Sequence, residues 1–281
     1  MIKRIRKNIP VPIKGIIKYL IKCCQKSHLK SLLVYSTSNK KIGNRIQKIY
    51  REFYPISILE DLQRFGGKSD GGYLIPDTSN IRYSGLISPG VGDSLSFESD
   101  FQAAVSKVIL IDGSVNEPAN LPLNYVFYQK FLQSDSSKNI QGVTLKEVLD
   151  SEFVNQKNLV LQMDIEGNEY EVLEEITTDN LLRFSLILIE FHFIEKILKH
   201  EGFSEIKLIL DKLKKNFYLV HTHPNNAGGY FLYRFKKYPR VLETTWVIKQ
   251  AVTPIDKVKK LPHSLDQIND KLSMNLHYPR F

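Results

Sequence analysis

The chain has 281 residues, of which 42% are hydrophobic and 25% charged, values typical of a soluble globular protein with one large domain or two small ones. Its two cysteines, Cys23 and Cys24, are adjacent, which excludes a disulfide framework and a cysteine-based zinc site and favours a reducing, cytoplasmic location. The net charge of +9 is uneven, because residues 1–51 hold 14 of the 39 basic residues and no acid, whereas the rest carries 25 basic against 30 acidic residues.

Residues 1–60 are predicted to form a basic arm and a connector. Apolar residues recur at helical spacing from Ile13 to Cys24, with lysines four apart on another face, which indicates a basic amphipathic helix. Lysine interrupts it at every turn, so it cannot span a bilayer, and it lacks the apolar core of a signal peptide. Residues 1–30 either attach peripherally to an anionic membrane, at its inner face, or contact a partner, or pack on the protein's own domain. Nucleic acid is a weaker alternative, because few aromatic residues accompany the basic ones.

Four glycines surround Asp70 in the segment 65–76. Glycine at this density excludes the interior of a regular element and indicates a turn that leads into a short strand at Tyr73. The turn is either an ordinary hairpin or a place where the backbone approaches a ligand closely, and the glycines alone favour the hairpin. Before it, apolar residues from Ile42 to Phe53 are spaced as in a helix.

A strand, a glycine turn, a helix and a second strand are predicted next. The apolar run 84–88 precedes the turn, and residues 95–105 carry helical spacing behind a Ser94 cap. A second apolar run, 107–111, then ends at Asp112. This order places the glycine turn and the acid at neighbouring strand ends.

The turn Gly90-Val91-Gly92 and Asp112 together predict a nucleoside site. Asp112 lies 20 residues after Gly92, the spacing at which an acid at the end of a second strand reaches ribose hydroxyls. The third glycine of dinucleotide-binding turns is missing, so an adenosine ligand without pyrophosphate fits better, and S-adenosylmethionine is the common one. Glu98 either contacts this cofactor or merely favours the helix start.

The alternation of apolar runs and helices continues to residue 248 and predicts an α/β fold with a mostly parallel sheet and helices on both faces. The last two strands are close in sequence, which suggests an antiparallel edge hairpin. The domain is placed at 61–252, and the tail 253–281 is expected to be a loop with a short helix. Further strands are expected at 124–128, 159–163, 184–193, 217–221 and 241–248, and helices at 143–149 (Thr144 as cap, Glu147 in the capping-box position), after residue 169 and at 204–215.

An acidic turn follows the buried run 159–163. An acid directly after a buried strand is costly unless it is used or paired, so Asp164 is expected to be functional at the carboxyl edge of the sheet, where open α/β sheets bind ligands. Glu166 helps to shape the turn that positions Asp164. Glu169 and Glu171 are explained by the helix start alone, because the helix dipole favours carboxylates there.

The segment Asp164-Ile165-Glu166-Gly167-Asn168-Glu169 resembles the Asp-x-Glu-Gly-x-Glu segment of FkbM-type S-adenosylmethionine-dependent methyltransferases. The resemblance covers roughly residues 65–250 and implies a Rossmann-like class I methyltransferase fold with seven strands. It also implies O-methyl transfer to sugars or other small hydroxyl-bearing molecules, as in polysaccharide or natural-product pathways. Further segments agree in kind and order: Asp70-Gly71-Gly72-Tyr73, Gly90-Val91-Gly92 followed by Ser96-Phe97-Glu98, Asp112, a His-x-x-x-Asn-Asn turn from His221 to Asn226, and Glu243-Thr244-Thr245-Trp246.

The site residues follow from these motifs. A hydroxyl acceptor benefits from a general base, for which His192 and Asp164 are the first candidates and His221 or His223 the next. The alternative for His192 is a structural role, and for the 221–226 turn it is ordinary turn chemistry. The expected cofactor contacts are Asp70, Gly90, Gly92, Glu98, Asp112 and Asp164, and the expected acceptor contacts are Glu166, His223, Asn225 and Asn226.

Two other functions stay open at this point. A NAD- or nucleotide-sugar-dependent Rossmann enzyme is disfavoured by the missing third glycine. A catalytically inactive methyltransferase fold that acts as a membrane-associated scaffold is disfavoured by the intact glycine turn with Asp112 and Asp164. The spacing requires no metal, although Asp164, Glu166 and His192 could converge on one.

Overall fold

A computed structural model describes residues 34–35, 39–77, 81–135, 141–256 and 260–280. The predicted amphipathic helix and the membrane contact of residues 1–30 lie outside the described residues. Among the helices of the described part, none has the length and the apolar character that crossing a membrane requires.

The elements are labelled here in chain order. The strands are β1 (Val34–Tyr35), β2 (Ser57–Ile58), β3 (Leu62–Phe65), β4 (Tyr73–Pro76), β5 (Gly85–Pro89), β6 (Val108–Ile111), β7 (Tyr125–Tyr128), β8 (Phe131–Gln133), β9 (Gly142–Thr144), β10 (Leu159–Met163), β11 (Phe184–Phe191), β12 (Phe217–Pro224), β13 (Tyr230–Tyr233), β14 (Lys236–Pro239), β15 (Leu242–Ile248) and β16 (Pro254–Ile255). The α-helices are α1 (Lys40–Glu52), α2 (Ser96–Phe101), α3 (Leu145–Glu152), α4 (Glu169–Glu175), α5 (Thr178–Leu181) and α6 (His200–Asn216).

The central sheet has seven strands in the order β12-β15-β11-β10-β5-β6-β7. All neighbouring pairs from β11 to β7 are parallel, and only β15 runs antiparallel to both of its neighbours. The predicted mostly parallel, Rossmann-like sheet is therefore confirmed. The predicted antiparallel pair at the edge is also confirmed, because β12 forms the edge and pairs antiparallel with β15.

The inner strands are apolar runs because the sheet is covered on both faces. Every residue of β5, β6 and β10 is buried. Successive residues alternate between two cores: Ile87 and Leu161 pack on the side of α1, α3 and α6, whereas Leu86 and Val160 pack on the side of α2 and the β3–β4 hairpin. Fully buried strands of this kind lose the alternation of polar and apolar residues.

The strand order reverses between β5 and β10. After β5 the chain moves outward through β6 and β7, and it then returns to place β10 on the other side of β5. In open α/β sheets this switch point opens a crevice at the carboxyl ends of the strands, where ligands bind. The fold thus brings the glycine turn after β5 and the acidic turn after β10 side by side.

Several local predictions changed. The helix expected at 95–105 is shorter, because α2 ends at Phe101 and continues as a 3₁₀ turn, and Leu95 rather than Ser94 occupies its cap position without a side-chain bond. The capping box of Thr144 and Glu147 at α3 is confirmed. The short helix expected in the tail is wrong for the described residues 260–280, which form turns. Polar and apolar residues alternate only weakly in the short strands of the β3–β4 hairpin, the β13–β14 hairpin and the β8–β9 pair. The β13–β14 hairpin and the β8–β9 pair were not predicted.

Candidate active site

The glycine turn after β5 packs against the acidic turn on one side and is open on the other. Both Gly90 (φ 84°) and Gly92 (φ 57°) have left-handed backbone conformations that favour glycine. A Cβ atom on Gly90 would lie 1.5 Å from the backbone oxygen of Asp164, whereas a Cβ atom on Gly92 would meet nothing within 4 Å. The space above Gly92 is therefore available to a ligand.

Asp112 follows β6 and braces this turn. Its Oδ2 accepts a hydrogen bond from the backbone nitrogen of Gly92 at 2.9 Å, and its Oδ1 accepts from the nitrogen and the hydroxyl of Ser114, each at 2.7 Å. An ionised carboxylate has about four acceptor positions, so Asp112 can still accept a bond from a ribose hydroxyl. The pair predicted from spacing, Gly92 and Asp112, is in direct contact.

Glu98 lies deeper than its predicted role requires. It is only 2% exposed, its carboxyl accepts a hydrogen bond from the Ser88 hydroxyl, and burial raises its pKa. Glu98 is therefore buried beneath the end of β5 and contacts other residues of the protein. The predicted contact between Glu98 and a cofactor gains no support from this geometry.

Glu169, which was expected only to favour a helix start, is a buried structural acid. It is 0% exposed, and its Oε1 accepts hydrogen bonds from the backbone nitrogens of Ile165 at 3.2 Å and Gly167 at 3.0 Å. The acidic turn is thus folded around this carboxylate. The expectation for Glu169 was wrong because a sequence pattern does not show which of several clustered acids points inward.

His192 follows β11 and lies against the same carboxylate. Its Nδ1 is 2.9 Å from Oε1 of Glu169 and 3.1 Å from the backbone oxygen of Glu190. Its Nε2 faces Oδ1 of Asp164 at 3.7 Å and Oε1 of Glu190 at 3.6 Å, with the exposed Glu166 at 4.0 Å. The predicted catalytic residues Asp164 and His192 are therefore neighbours at the carboxyl edge of the sheet.

The ionisable side chains of this group shift one another's pKa values. Burial raises the pKa of Asp164 to about 7, although the charge of His192 lowers it. Burial lowers the pKa of His192, but the hydrogen bond and charge of Glu169 and the charge of Asp164 outweigh it and bring this pKa to about 9. Burial also raises the pKa of Glu190 well above its usual range. The edge therefore holds several acids close to one histidine.

Two asparagines connect this group to a second set of acids. Asn225 donates through Nδ2 to Oδ1 of Asp70 at 3.0 Å and to Oε1 of Glu190 at 2.9 Å. Asn269 donates through Nδ2 to Oδ1 of Asp70 at 3.1 Å and to Oε1 of Glu243 at 2.5 Å. Asp70, predicted as a cofactor contact, thus joins the hairpin turn to the loop after β12 and to the C-terminal segment.

Other predicted acceptor residues hold the C-terminal segment in place. His223 Nδ1 lies 3.5 Å from Oδ2 of Asp266, and His221 Nε2 lies 3.0 Å from its Oδ1. Asn226 donates to the backbone oxygen of Asp270 at 2.7 Å and accepts from its nitrogen at 2.9 Å. Of the predicted acceptor contacts, Asn225 belongs to the polar group near Asp164, while His223 and Asn226 contact the tail.

Sequence reasoning missed four residues of this edge. Glu190 and Glu243 lie directly opposite each other on β11 and β15. Both segments were noted in the sequence for other reasons, as the end of the fifth strand and as the Glu-x-Thr-aromatic strand. The signal that could have identified these two residues is an acid within an apolar run. Asn269 and Asp266 belong to a tail without any pattern, so no signal could have found them.

Two sets of side chains have the spacing to hold a metal ion. One is Asp164, Glu190 and His192, and the other is Asp70, Glu190 and Glu243; within each set the donor atoms lie within 4.8 Å of one another. One side of the edge has the glycine turn and Asp112, and the other side has these polar sets. The arrangement can therefore hold a nucleoside-bearing ligand next to a hydroxyl-bearing one.

A model of the methyltransferase FkbM domain family matches residues 76–220, which is more than half of the chain. The match spans β5 to β11 and most of the edge described above. No curated protein matches the chain.

Proposed function

Because this chain belongs to the methyltransferase FkbM domain family, we propose that it binds S-adenosylmethionine and methylates a hydroxyl oxygen of a sugar, a glycan or a related small molecule. The family match makes the protein a methyltransferase. The cofactor, the oxygen acceptor and its sugar-like character are our proposal, and they are supported by the geometry of the sheet edge.

The open space above Gly92, next to Asp112, is the observation that carries the proposal. A cofactor can approach the backbone there without meeting a side chain. Asp112 would accept hydrogen bonds from ribose hydroxyls with the acceptor positions that Gly92 and Ser114 leave free. When bound, S-adenosylmethionine supplies an electrophilic methyl carbon on a sulfonium, and the protein supplies alignment and charge.

We assign Asp164 as the general base that takes the proton of the acceptor's hydroxyl group. Its side chain is 34% exposed, and no described residue donates a hydrogen bond to its carboxylate. Its backbone nitrogen bonds the oxygen of Pro89 at 3.1 Å, which fixes it beside the glycine turn and thus beside the expected methyl group. A pKa of about 7 also suits a general base at neutral pH.

Polar groups next to Asp164 favour an acceptor with several hydroxyls. Glu166 is exposed beside it, and the buried pair Asn225 and Glu190 lies behind His192. Carboxylates accept hydrogen bonds from hydroxyl groups, which matches the several hydroxyls of a sugar ring.

Isothermal titration calorimetry with S-adenosylmethionine is the first test, followed by mass spectrometry of glycans from cells with and without the gene. We expect binding in the micromolar range and the loss of a methyl group from one glycan species. A chain that binds NAD or a nucleotide sugar instead would support the alternative enzyme. If the chain binds neither S-adenosylmethionine nor these other ligands, the enzymatic proposal is contradicted and an inactive scaffold is favoured.

We also propose that residues 1–30 attach the protein to anionic membranes. The support is their charge, because these residues carry basic side chains and no acid. Co-sedimentation with vesicles containing phosphatidylserine should fall when residues 1–30 are deleted, and it should fall with added salt. Equal sedimentation of the full chain and the truncated chain would rule this attachment out.

A further inference from the structure

We propose that Asp164, Glu190 and His192 bind a divalent cation at the carboxyl edge of the sheet. The site consists of one imidazole nitrogen and two carboxylates whose donor atoms lie within 4.8 Å of one another. Binding of the ion is independent of the proposed function, whereas its role in methyl transfer rests on that function.

The distances around Nε2 of His192 fit a shared ion and do not fit hydrogen bonds. Nε2 lies 3.7 Å from Asp164 and 3.6 Å from Glu190, which is beyond hydrogen-bond range. Two donors that share one ion at 2.0–2.3 Å are separated by about 2.9–3.7 Å. The two distances from Nε2 therefore match donors that share a cation, and the donor atoms of Asp164 and Glu190 lie within 4.8 Å of each other.

The orientation of His192 is a second and independent observation. The residue is 7% exposed, yet no described residue makes a hydrogen bond to Nε2, which points at Asp164 and Glu190. Its other nitrogen, Nδ1, is held by the carboxylate of Glu169 at 2.9 Å and by a backbone oxygen. Histidines that bind metals are oriented in this way, through a carboxylate or carbonyl on the second ring nitrogen.

The competing set, Asp70 with Glu190 and Glu243, is already connected within the protein. Asn269 donates to both Asp70 and Glu243, and Asn225 donates to both Asp70 and Glu190. These amide hydrogens satisfy the carboxylate oxygens that an ion would otherwise bind. Oε1 of Glu190, which both sets share, also accepts from Asn225, but no described residue donates a hydrogen bond to the Asp164 carboxylate or bonds to Nε2 of His192, so the first set is the better candidate.

The donor chemistry narrows the choice of ion. Carboxylates and water suit Mg²⁺ and Mn²⁺, while an imidazole favours a first-row transition metal over Mg²⁺. One nitrogen and two carboxylates therefore suit Mn²⁺, with water or the acceptor in the remaining positions. Asp164 and the exposed Glu166 leave this side of the site open to solvent, so such ligands can enter.

In the proposed methyl transfer, the ion would bind the acceptor oxygen and increase the acidity of its hydroxyl group. Asp164 would help to hold the ion, and its carboxylate would take the proton of the acceptor hydroxyl. The acceptor oxygen then forms a bond to the methyl carbon as the carbon–sulfur bond breaks. The bonding electron pair stays on sulfur, which becomes a neutral thioether.

Titration of the full-length protein with Mn²⁺, followed by the electron paramagnetic resonance signal of the free ion, tests the site without any substrate. We expect one bound ion per chain. His192→Ala and Asp164→Asn should each weaken binding at least tenfold. Glu169→Gln, which removes the partner of Nδ1, should weaken it by about 10–100-fold as orienting carboxylates do.

Two matched controls locate the ion. Asp93→Asn changes an exposed acid near the glycine turn and should bind Mn²⁺ as the unaltered chain does. Glu243→Gln changes a buried acid of the competing set and should weaken binding less than His192→Ala does. The proposal is overturned if no Mn²⁺ binds at millimolar concentration. It is also overturned if His192→Ala binds normally, or if Glu243→Gln weakens binding more than His192→Ala does.

Calorimetry with S-adenosylmethionine on the same preparations separates this proposal from the proposed function. Asp164→Asn is close in shape to the original residue and partly exposed, so it is expected to fold, which circular dichroism verifies. Cofactor binding without Mn²⁺ binding would reject the cation site alone. Mn²⁺ binding without cofactor binding would reject the methyl-transfer proposal and keep the cation site.

Discussion

Gly90 lies so close to the backbone of Asp164 that a Cβ atom on Gly90 would be 1.5 Å from the Asp164 carbonyl oxygen. The contact is reinforced by the bond from the nitrogen of Asp164 to the oxygen of Pro89. The turn after β5 and the turn after β10 are therefore in direct backbone contact. The methyl donor would be held by the first turn and the acceptor by the second, so this contact sets their separation.

The two glycines of the turn should respond differently to alanine. Gly90→Ala places a methyl group into backbone and strains a positive φ, so we expect the free energy of unfolding to fall by on the order of 3–5 kcal/mol. Gly92→Ala meets no atom within 4 Å, so we expect only the backbone cost of about 1–2 kcal/mol. Its S-adenosylmethionine affinity should nevertheless fall, because the methyl group projects into the cofactor space. Chemical denaturation and calorimetry measure both, and normal affinity in Gly92→Ala would place the cofactor elsewhere.

Asp112→Ala should weaken S-adenosylmethionine binding by about 10–100-fold, which corresponds to the loss of hydrogen bonds to a charged group. It removes both the ribose acceptor and the bond to the nitrogen of Gly92. Asp93→Ala is the control, because Asp93 is an exposed acid in the same turn. Equal dissociation constants for the two variants in calorimetry would contradict the assignment of Asp112.

Asp164→Asn should lower the rate of methyl transfer by about 10²–10⁴-fold while the dissociation constant for S-adenosylmethionine changes little. The amide keeps the shape of the side chain but cannot take the acceptor's proton. Single-turnover experiments with a radiolabelled methyl group measure this step directly. Glu171→Gln, an exposed acid of the same acidic segment, is the control and should turn over as the unaltered chain does. A small rate effect in Asp164→Asn would transfer the base role to another group.

The C-terminal segment should be anchored in a pH-dependent manner through Asp266 and His223. Burial raises the pKa of Asp266, but His221 and His223 outweigh it and hold this pKa well below its usual range. Burial lowers the pKa of His223, but Asp266 and Glu243 outweigh it and leave this pKa raised. The depressed acid stabilises the fold above about pH 3.9 and loses this contribution as pH falls through its folded pKa. The raised histidine stabilises it below about pH 6.5 and loses this contribution as pH rises through its folded pKa.

Asp266→Asn measures this contribution. We expect it to lower the free energy of unfolding by about 1–3 kcal/mol at pH 5.5, where both charges are present. The difference between the variant and the unaltered chain should shrink as pH rises through the folded pKa of His223 and this histidine loses its proton. Thermal unfolding across a series of pH values gives these differences, and a difference that grows with pH would refute the charged pair.

The parts of the fold that were predicted correctly have local causes. The buried strands β5, β6 and β10 appear as continuous apolar runs, and an acid directly after such a run, as at Asp112 and Asp164, marks a strand end at the ligand edge. The residues that were missed depend on distant contacts. Asn269 meets Glu243 and Asp70 only because the tail folds back across the sheet. Glu169 was misjudged because an acid near a helix start can either face solvent or point inward to accept backbone hydrogen bonds, and the sequence does not distinguish the two.

The family match covers residues 76–220, yet Asp70, Asn225, Glu243 and Asn269 all lie outside it. The segment common to the family thus contains the glycine turn, Asp112, Asp164 and His192, while the asparagines that brace the acids come from flanking sequence. In the proposed function, the matched segment would position the methyl donor, and the flanking asparagines would help to shape the place where the acceptor binds.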